Sequence, residues 1–334
     1  MTKKVVLFFV KTILPILLGI YLFWYFFDSM EQKELDLFYA SMKDAEYSWI
    51  IVSLILGFGA FVSRAMRWKY MLEPLGYHSK RMNRYHAIMI GYLVNLTIPR
   101  AGEASRAAML YRSDGIPFAK SFGTIITERI IDLAILGSFT LFTIFWAYDD
   151  FFLIKTQMQN VFGTEKTEGP NGFLIGFIIL CLTFFLVLYL KKQWRNKIIA
   201  LCKEVLVGLI SIFKTKNPSA FIFHTLFIWS CYVVMFMLPF YSFEQTKDLP
   251  TQCMFIAFVA GAIGMTFTNS GVGSYPILVG LVVTFYLNRE QIEDSKAIGN
   301  ALGLLIWASQ TFVMAILGLF SLVLLPNNYS KKDA

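Results

Sequence analysis

The sequence predicts an all-α polytopic membrane protein with about six full transmembrane helices and two broken or re-entrant helical hairpins. Of its 334 residues, 57% are hydrophobic and only 16% are charged, a composition far from that of a soluble domain. The apolar residues fall in long runs, and the charged residues gather in the segments between those runs. Residues 1–334 are therefore expected to form one integral membrane domain, with a first half at 1–147 and a second half at 173–325.

Six apolar runs are predicted to cross the bilayer, because a helix of about 20 residues spans its hydrocarbon core. The predicted crossings are 5–27, 49–63, 122–147, 173–190, 220–243 and 297–325.

The charges of the connecting segments predict the orientation, since cytoplasmic loops carry an excess of Lys and Arg. Segments 28–47 and 148–172 are acidic and are expected outside, whereas 64–84 and 191–218 are basic and are expected in the cytoplasm. Both termini are then cytoplasmic. Segment 191–218 also repeats apolar residues at helical spacing, which favours either an amphipathic helix in the membrane interface or a cytosolic helix packed on the bundle.

Two apolar segments, 85–112 and 252–288, are interrupted by polar and helix-breaking residues. Each is predicted to form a broken hairpin, although a full crossing would not change the sidedness of the other loops. Broken helices in corresponding places of two halves indicate a transporter site at the interface of an inverted repeat. The helices would restart near Gly102 and Gly273, where free N–H groups and a positive dipole end favour an anion, and glycine lets a headgroup approach closely.

Ionisable residues in or beside apolar segments are costly and mark a candidate functional site. Those in the first half are Arg64, Arg67, Arg100, Glu103, Arg106, Glu128, Arg129 and Asp132. Polar or flexible residues at the two breaks complete the candidate substrate-binding set: Asn95, Gly102, Asn269, Gly271, Gly273 and Tyr275.

Each charged group also has a structural interpretation. Arg64 and Arg67 are equally compatible with inside-facing anchors at a helix end. Glu103 and Arg106 are expected to pair at i,i+3, which would leave Arg100 for a phosphate or make the group a salt-bridge staple.

Glu128 and Asp132 share a helix face, with Arg129 turned about 100° away. They are expected either to lock that helix to Arg64, Arg67 or Arg106 or to contact a headgroup. The segment from Asn269 to Tyr275 is interpreted as a cavity lining, with a tight loop as the alternative.

The motifs Ser63-Arg64-Ala65-Met66-Arg67-Trp68, GYLVNLTIPRAGEASR (91–106), Thr127-Glu128-Arg129-Ile130-Ile131-Asp132 and Gly271-Val272-Gly273-Ser274-Tyr275-Pro276 occur in this order. Together they resemble the transmembrane region of lysylphosphatidylglycerol synthases, which also occurs as stand-alone bacterial and archaeal membrane proteins. The resemblance implies a flippase that moves an aminoacylated phospholipid, whereas a separate soluble domain makes that lipid. The sequence given stops at Ala334, so the soluble synthase domain is expected to be missing and the lipid is left open.

The resulting prediction is a lipid flippase of the bacterial inner membrane that is not an enzyme and that carries a phosphate-bearing lipid with an anionic or zwitterionic headgroup. No nucleotide-binding loop, metal-ligand cluster or cofactor motif occurs in the sequence, and no nucleic-acid partner is expected. A homo-oligomer and a partner that synthesises the lipid are both open. The alternatives are a non-transporting subunit of a glycolipid or cell-envelope pathway and a lipid-phosphate transferase, for which the acid pair Asp149-Asp150 is the candidate.

Overall fold

A computed structural model describes residues 32–150, 153–154 and 217–326, with six single positions between 17 and 28. The predicted crossing at 173–190 and the basic segment at 191–216 lie outside the described residues, as does most of the crossing at 5–27.

Helices make up nearly all of the described chain. Their bounds are α1 (Gln32–Asp44), α2 (Tyr47–Leu72), α3 (Arg81–Thr97), α4 (Gly102–Asp114), α5 (Phe118–Trp146), α6 (Pro218–Met237), α7 (Thr251–Phe267), α8 (Ser274–Arg289) and α9 (Ser295–Leu324). Short 3₁₀ segments extend α2 to Leu75 and α6 to Ser242 and form the turn Asn269–Gly271.

Four of these helices are long and apolar enough to cross a membrane: Tyr47–Leu75, Phe118–Trp146, Pro218–Ser242 and Ser295–Leu324. α7 is apolar but shorter. The all-α polytopic fold class is confirmed, and the protein is a multi-pass membrane protein.

Two boundaries predicted from the sequence are wrong. The helix of the span predicted to end at Ser63 continues to Leu72, so Arg64 and Arg67 lie within α2 and not at its end. The acidic segment 28–47, predicted as a loop, contains α1. In both cases the chain stays helical because neighbouring helices supply partners for its polar side chains.

Helices α2 and α6 run antiparallel along most of their length. The N–H of Glu46 donates to the carbonyl of Ser242 at 2.8 Å, which joins the start of α2 to the end of α6. Towards the other end, Ser63 Oγ lies 2.8 Å from His224 Nδ1. The hairpins that follow these two helices, α3–α4 and α7–α8, therefore enter the bundle from opposite ends.

The first hairpin turns at residues 98–101, where Arg100 has a φ of 61°. Its helices pack closely because Gly91 and Gly102 face each other. A Cβ on Gly102 would lie 2.3 Å from the carbonyl oxygen of Gly91 and 2.5 Å from Asn95 Cγ. The missing side chain at Gly102 thus makes room for helix packing.

The tips of the two hairpins touch inside the bundle. Asn269 Nδ2 donates to the carbonyl of Leu96 at 2.8 Å, and Ser270 Oγ donates to the carbonyl of Asn95 at 3.1 Å. Trp307 on α9 donates to the carbonyl of Ser270 at 2.9 Å. These bonds satisfy backbone groups that the broken helices leave free.

Candidate functional site

Five charged side chains from α2, α4 and α5 form one buried group, which we call the charge cluster: Arg64, Arg67, Arg106, Glu128 and Asp132. The spacing within each helix explains how they meet. Arg64 and Arg67 are three residues apart on α2, Glu128 and Asp132 are four apart on α5, and such neighbours share a helix face. The charged faces of α2 and α5 therefore oppose each other.

Glu128 is the centre of the cluster and is 0% exposed. Arg64 Nε donates to its Oε1 at 2.6 Å, and Arg106 Nη2 donates to its Oε2 at 2.8 Å. Arg67 Nη2 lies 3.2 Å from Oε1. One carboxylate thus links three arginines from two other helices.

Asp132 lies one turn further along α5 and is held mainly by Arg67. Arg67 Nη1 and Nη2 donate to its two oxygens at 3.0 and 3.2 Å, and Arg64 Nη2 is 3.5 Å from Oδ2. Arg64 also donates to the hydroxyls of Tyr92 at 2.5 Å and Tyr232 at 3.4 Å. Both acids in the cluster therefore form ion pairs with arginines.

Aromatic packing supports the Arg106 corner of the cluster. The guanidinium carbon of Arg106 lies 3.8 Å from the centroid of the Trp68 ring, a cation–π geometry. Trp68 is itself fixed by a hydrogen bond from Nε1 to Thr124 Oγ1 at 2.8 Å. The cluster is thus held rigidly by its surroundings as well as by its ion pairs.

The predicted pairing of Glu103 with Arg106 is wrong. Glu103 pairs with Arg129 at 3.0 Å, at a less buried position beside the cluster, and Arg106 turns inward to Glu128. On α5, the side chain of Arg129 points in a different direction around the helix axis from those of Glu128 and Asp132, which explains why Arg129 has a separate partner. Arg100 is exposed at the hairpin tip, and no ion pair or hydrogen bond of its side chain occurs within the described residues.

The structure separates the predicted second-hairpin residues by role. Asn269 holds the first hairpin through Leu96, and Gly271 and Gly273 adopt φ values of 75° and 74° that favour glycine. Tyr275 alone of this group faces the large cavity described next. The predicted set therefore does not form one continuous site.

A cavity of about 450 Å³, the central cavity, lies beside the charge cluster. Its lining residues include Leu54, Gly57, Phe61, Arg64, Tyr92, Arg129, Asp132, Leu136, Trp229, Tyr232, Phe258, Met265, Tyr275, Gln310 and Val313. Leu54 and Arg64 are ten residues apart on α2, which corresponds to about 15 Å along the helix. The charged residues of the wall are Arg64, Arg129 and Asp132, and most of its other residues are apolar.

Four cavity residues with hydrogen-bonding side chains were not among the candidates from the sequence: Tyr92, Trp229, Tyr232 and Gln310. The sequence does contain a pattern that could have identified these residues. Tyr, Trp and Gln inside an apolar span need hydrogen-bond partners, and Trp229 and Tyr232 are three residues apart on one face of α6. Only the fold reveals that this face meets Arg64.

The restart of the helix at Gly102 offers little room for a guest. A second cavity, lined by Gly91, Asn95, Gly102 and Glu103 among others, measures only about 10 Å³, roughly the size needed for one water. The Gly102 N–H already donates to Asn95 Oδ1 at 2.7 Å. The larger space beside Arg64 and Arg129 is therefore the central cavity.

The residues considered for other chemistry that the structure describes include one paired acid and two buried cysteines. No group of three or more potential metal ligands occurs within the described residues. Asp150 accepts hydrogen bonds from Tyr286 and Arg289, both at 2.7 Å. The described cysteines, Cys231 and Cys253, are buried and unpaired.

Comparison with known proteins places these features in a family. The chain is 34% identical over 99 residues to a UPF0104 membrane protein of Methanocaldococcus jannaschii, a match covering 29% of this chain and 30% of that protein. It is 30% identical over 93 residues to the glycosyltransferase AglD of Haloferax volcanii, covering 28% of this chain and 15% of that one. No solved structure matches the chain. The model of the lysylphosphatidylglycerol synthase TM region matches residues 12–318, and the chain belongs to that family.

Proposed function

We propose that this protein is a flippase that moves a phosphate-bearing lipid between the leaflets of a bacterial inner membrane, with both termini in the cytoplasm. In this proposal it is a transporter without catalytic residues, and its partners are the lipid and the bilayer. The phosphate lies at the charged end of the central cavity, and the acyl chains follow its apolar wall.

The observation that carries the proposal is the shape and polarity of the central cavity. Its volume of about 450 Å³ lies within the range of roughly 300–1,000 Å³ found for small-molecule sites. Charged and hydroxyl groups stand at one level of its wall and apolar side chains elsewhere, as an amphipathic ligand requires. A wall of one polarity throughout would suit an ion or an acyl chain instead.

The physical role of such a cavity is to lower a desolvation barrier. A headgroup crossing bare hydrocarbon loses several kcal/mol for each polar group left without a partner. The charge cluster supplies partners about 12 Å from the end of α2, since Arg64 lies eight residues before Leu72. Because the sequence has no nucleotide-binding loop, the driving force is a gradient or the uneven distribution of the lipid itself.

The test is lipid translocation in liposomes that contain the purified protein, followed by chemical bleaching of a fluorescent phospholipid in the outer leaflet. Leu136→Trp fills the cavity without changing a charge, and Leu141→Trp adds the same volume at an exposed position on the same helix. We expect translocation above empty liposomes for the wild type and Leu141→Trp and its loss for Leu136→Trp.

Three outcomes would contradict the proposal. Equal translocation by both variants would remove the cavity from the path. Absence of translocation for phospholipids and for polyprenyl-phosphate lipids alike would favour a non-transporting subunit. Chemical conversion of the added lipid would favour a lipid-phosphate transferase.

A further inference from the structure

Within the described residues, the charge cluster and its neighbours leave one positive charge uncompensated. Three arginines in the cluster face two carboxylates, and the adjacent pair Glu103–Arg129 is neutral by itself. A buried surplus charge is unfavourable unless a counter-charge is close. The central cavity is the space beside this surplus, so its guest is expected to supply a negative charge.

The unpaired polar atoms at the cavity point to the same guest. Two buried atoms of cavity-lining residues have no hydrogen-bond partner, Arg129 Nε and Trp229 Nε1, and both are N–H donors. Buried donors normally have partners, and each exception calls for an explanation such as a missing ligand. A guest with acceptor oxygens would offer both donors the kind of partner that they lack.

The cavity's one carboxylate and two of its tyrosine hydroxyls, in contrast, already accept hydrogen bonds from arginines. Both oxygens of Asp132 receive hydrogen bonds from Arg67. The hydroxyl oxygens of Tyr92 and Tyr232 receive hydrogen bonds from Arg64. An ammonium group in the headgroup would find no unoccupied carboxylate here and would sit beside a positive surplus.

We propose that the central cavity selects a lipid whose headgroup is a phosphodiester with net charge −1, and discriminates against zwitterionic and aminoacylated headgroups. Arg129 Nε and Trp229 Nε1 donate to the phosphate oxygens, and the surplus charge of the cluster balances its negative charge. Gln310, on α9, lines the cavity without adding a charge. The inference rests on the proposed function for its transport meaning, but it concerns binding and is tested by binding.

The first experiment is a lipid titration of the detergent-purified protein by native mass spectrometry. The probes are phosphatidylglycerol, phosphatidylcholine and an aminoacylated phosphatidylglycerol with identical acyl chains. We expect phosphatidylglycerol to bind about tenfold or more tightly than either of the others, because like-charge contacts at a binding site cost several kcal/mol. Equal affinities, or tighter binding of the aminoacylated lipid, would overturn the proposal.

A charge substitution in the cavity wall tests the same point without touching the cluster. Gln310→Glu adds one negative charge and cancels the surplus, whereas Gln310→Met keeps the size and stays neutral. We expect Gln310→Glu to weaken phosphatidylglycerol binding about tenfold or more and to remove the preference over phosphatidylcholine. Unchanged selectivity in Gln310→Glu would refute the charge argument.

The donor is tested by Trp229→Phe, which removes the N–H and keeps an aromatic ring. Because a hydrogen bond to a charged group is among the stronger ones, phosphatidylglycerol affinity should fall about tenfold or more. Trp49→Phe is the matched control, since Trp49 packs on Tyr241 and does not line the cavity. An equal effect of the two variants would remove Trp229 from the site.

The two proposals can fail separately. Selective binding of phosphatidylglycerol without translocation would keep the charge selectivity and reject the flippase. Translocation at equal rates for lipids of all three headgroup charges, with equal affinities, would keep the flippase and reject the selectivity.

Discussion

Replacing Glu128 with Gln removes the charge that joins α2, α4 and α5 while keeping the side-chain size. The carboxylate is completely buried and lies within 3.2 Å of nitrogen atoms from Arg64, Arg67 and Arg106. A glutamine offers one oxygen acceptor and turns an NH₂ donor towards guanidinium donors. Three buried arginines are then left with Asp132 as their only acid in the cluster.

The expected loss of stability in Glu128→Gln follows from the removal of one partner of a buried ion pair, which typically costs about 3–5 kcal/mol in the free energy of unfolding. Since about 1 kcal/mol corresponds to roughly 2–4 °C for a domain of 150–250 residues, we expect Tm to fall by roughly 10 °C. Adding Arg106→Gln to the variant removes one of the unpaired charges. The double variant is expected to be more stable than Glu128→Gln alone, because the two positions are directly coupled.

The assay is thermal unfolding in detergent, followed by intrinsic fluorescence and by loss of the monodisperse peak in size-exclusion chromatography. Glu244→Gln is the control: Glu244 is 79% exposed and pairs with Lys247 at the surface, where ion pairs contribute little. A Tm for Glu128→Gln within error of this control would refute the view that Glu128 holds the three helices together. A double variant less stable than Glu128→Gln would refute the charge balance.

Three further substitutions test the packing and the geometry of the site. Gly102→Ala should prevent stable folding, because its Cβ would lie 2.3 Å from the carbonyl oxygen of Gly91. Gly123→Ala is the control: a Cβ at Gly123 meets nothing within 4 Å, so this variant should be neutral or slightly stabilising. The yield of monodisperse protein distinguishes the two variants. Trp68→Leu should lower the free energy of unfolding by about 2 kcal/mol or more, through loss of the ring under Arg106, and chemical denaturation would measure it. Arg64→Lys keeps the positive charge, but an ammonium group cannot bond to Glu128 and Tyr92 in the several directions that a guanidinium can. The Tm of this variant should therefore fall almost as far as that of Glu128→Gln. A Tm equal to that of the wild type would show that the charge of Arg64 alone is enough to stabilise the cluster.

Part of the site could be predicted because helical spacing fixes which side chains share a face. The i,i+4 spacing of Glu128 and Asp132 and the different direction of Arg129 follow from the sequence alone. The partners across the bundle do not follow. The local i,i+3 rule favoured Glu103 with Arg106, but burial of Glu128 demanded a nearby cation, and Arg106 supplies it.

The remaining errors share a physical origin. Arg64 and Arg67 were open to interpretation as anchors at a helix end, because cationic residues near an apolar run normally reach the interface. Acids on α5 make burial acceptable, so α2 continues past them. Trp229 and Gln310 were missed because they carry no charge, and their importance depends on facing a cavity that only the assembled fold creates.

The charged residues were expected either to lock the helices together or to contact a ligand, and in the structure different residues are available for these two roles. Both acids of the charge cluster are consumed in joining α2, α4 and α5, so these residues principally determine stability. What remains for a guest is the surplus charge and the unpaired donors on the cavity side. Substitutions at Glu128 should therefore change Tm first, whereas substitutions at Trp229 or Gln310 should change lipid affinity at constant Tm. A variant at Gln310 that altered Tm and affinity together would show that the cavity wall and the charge cluster are one structural unit.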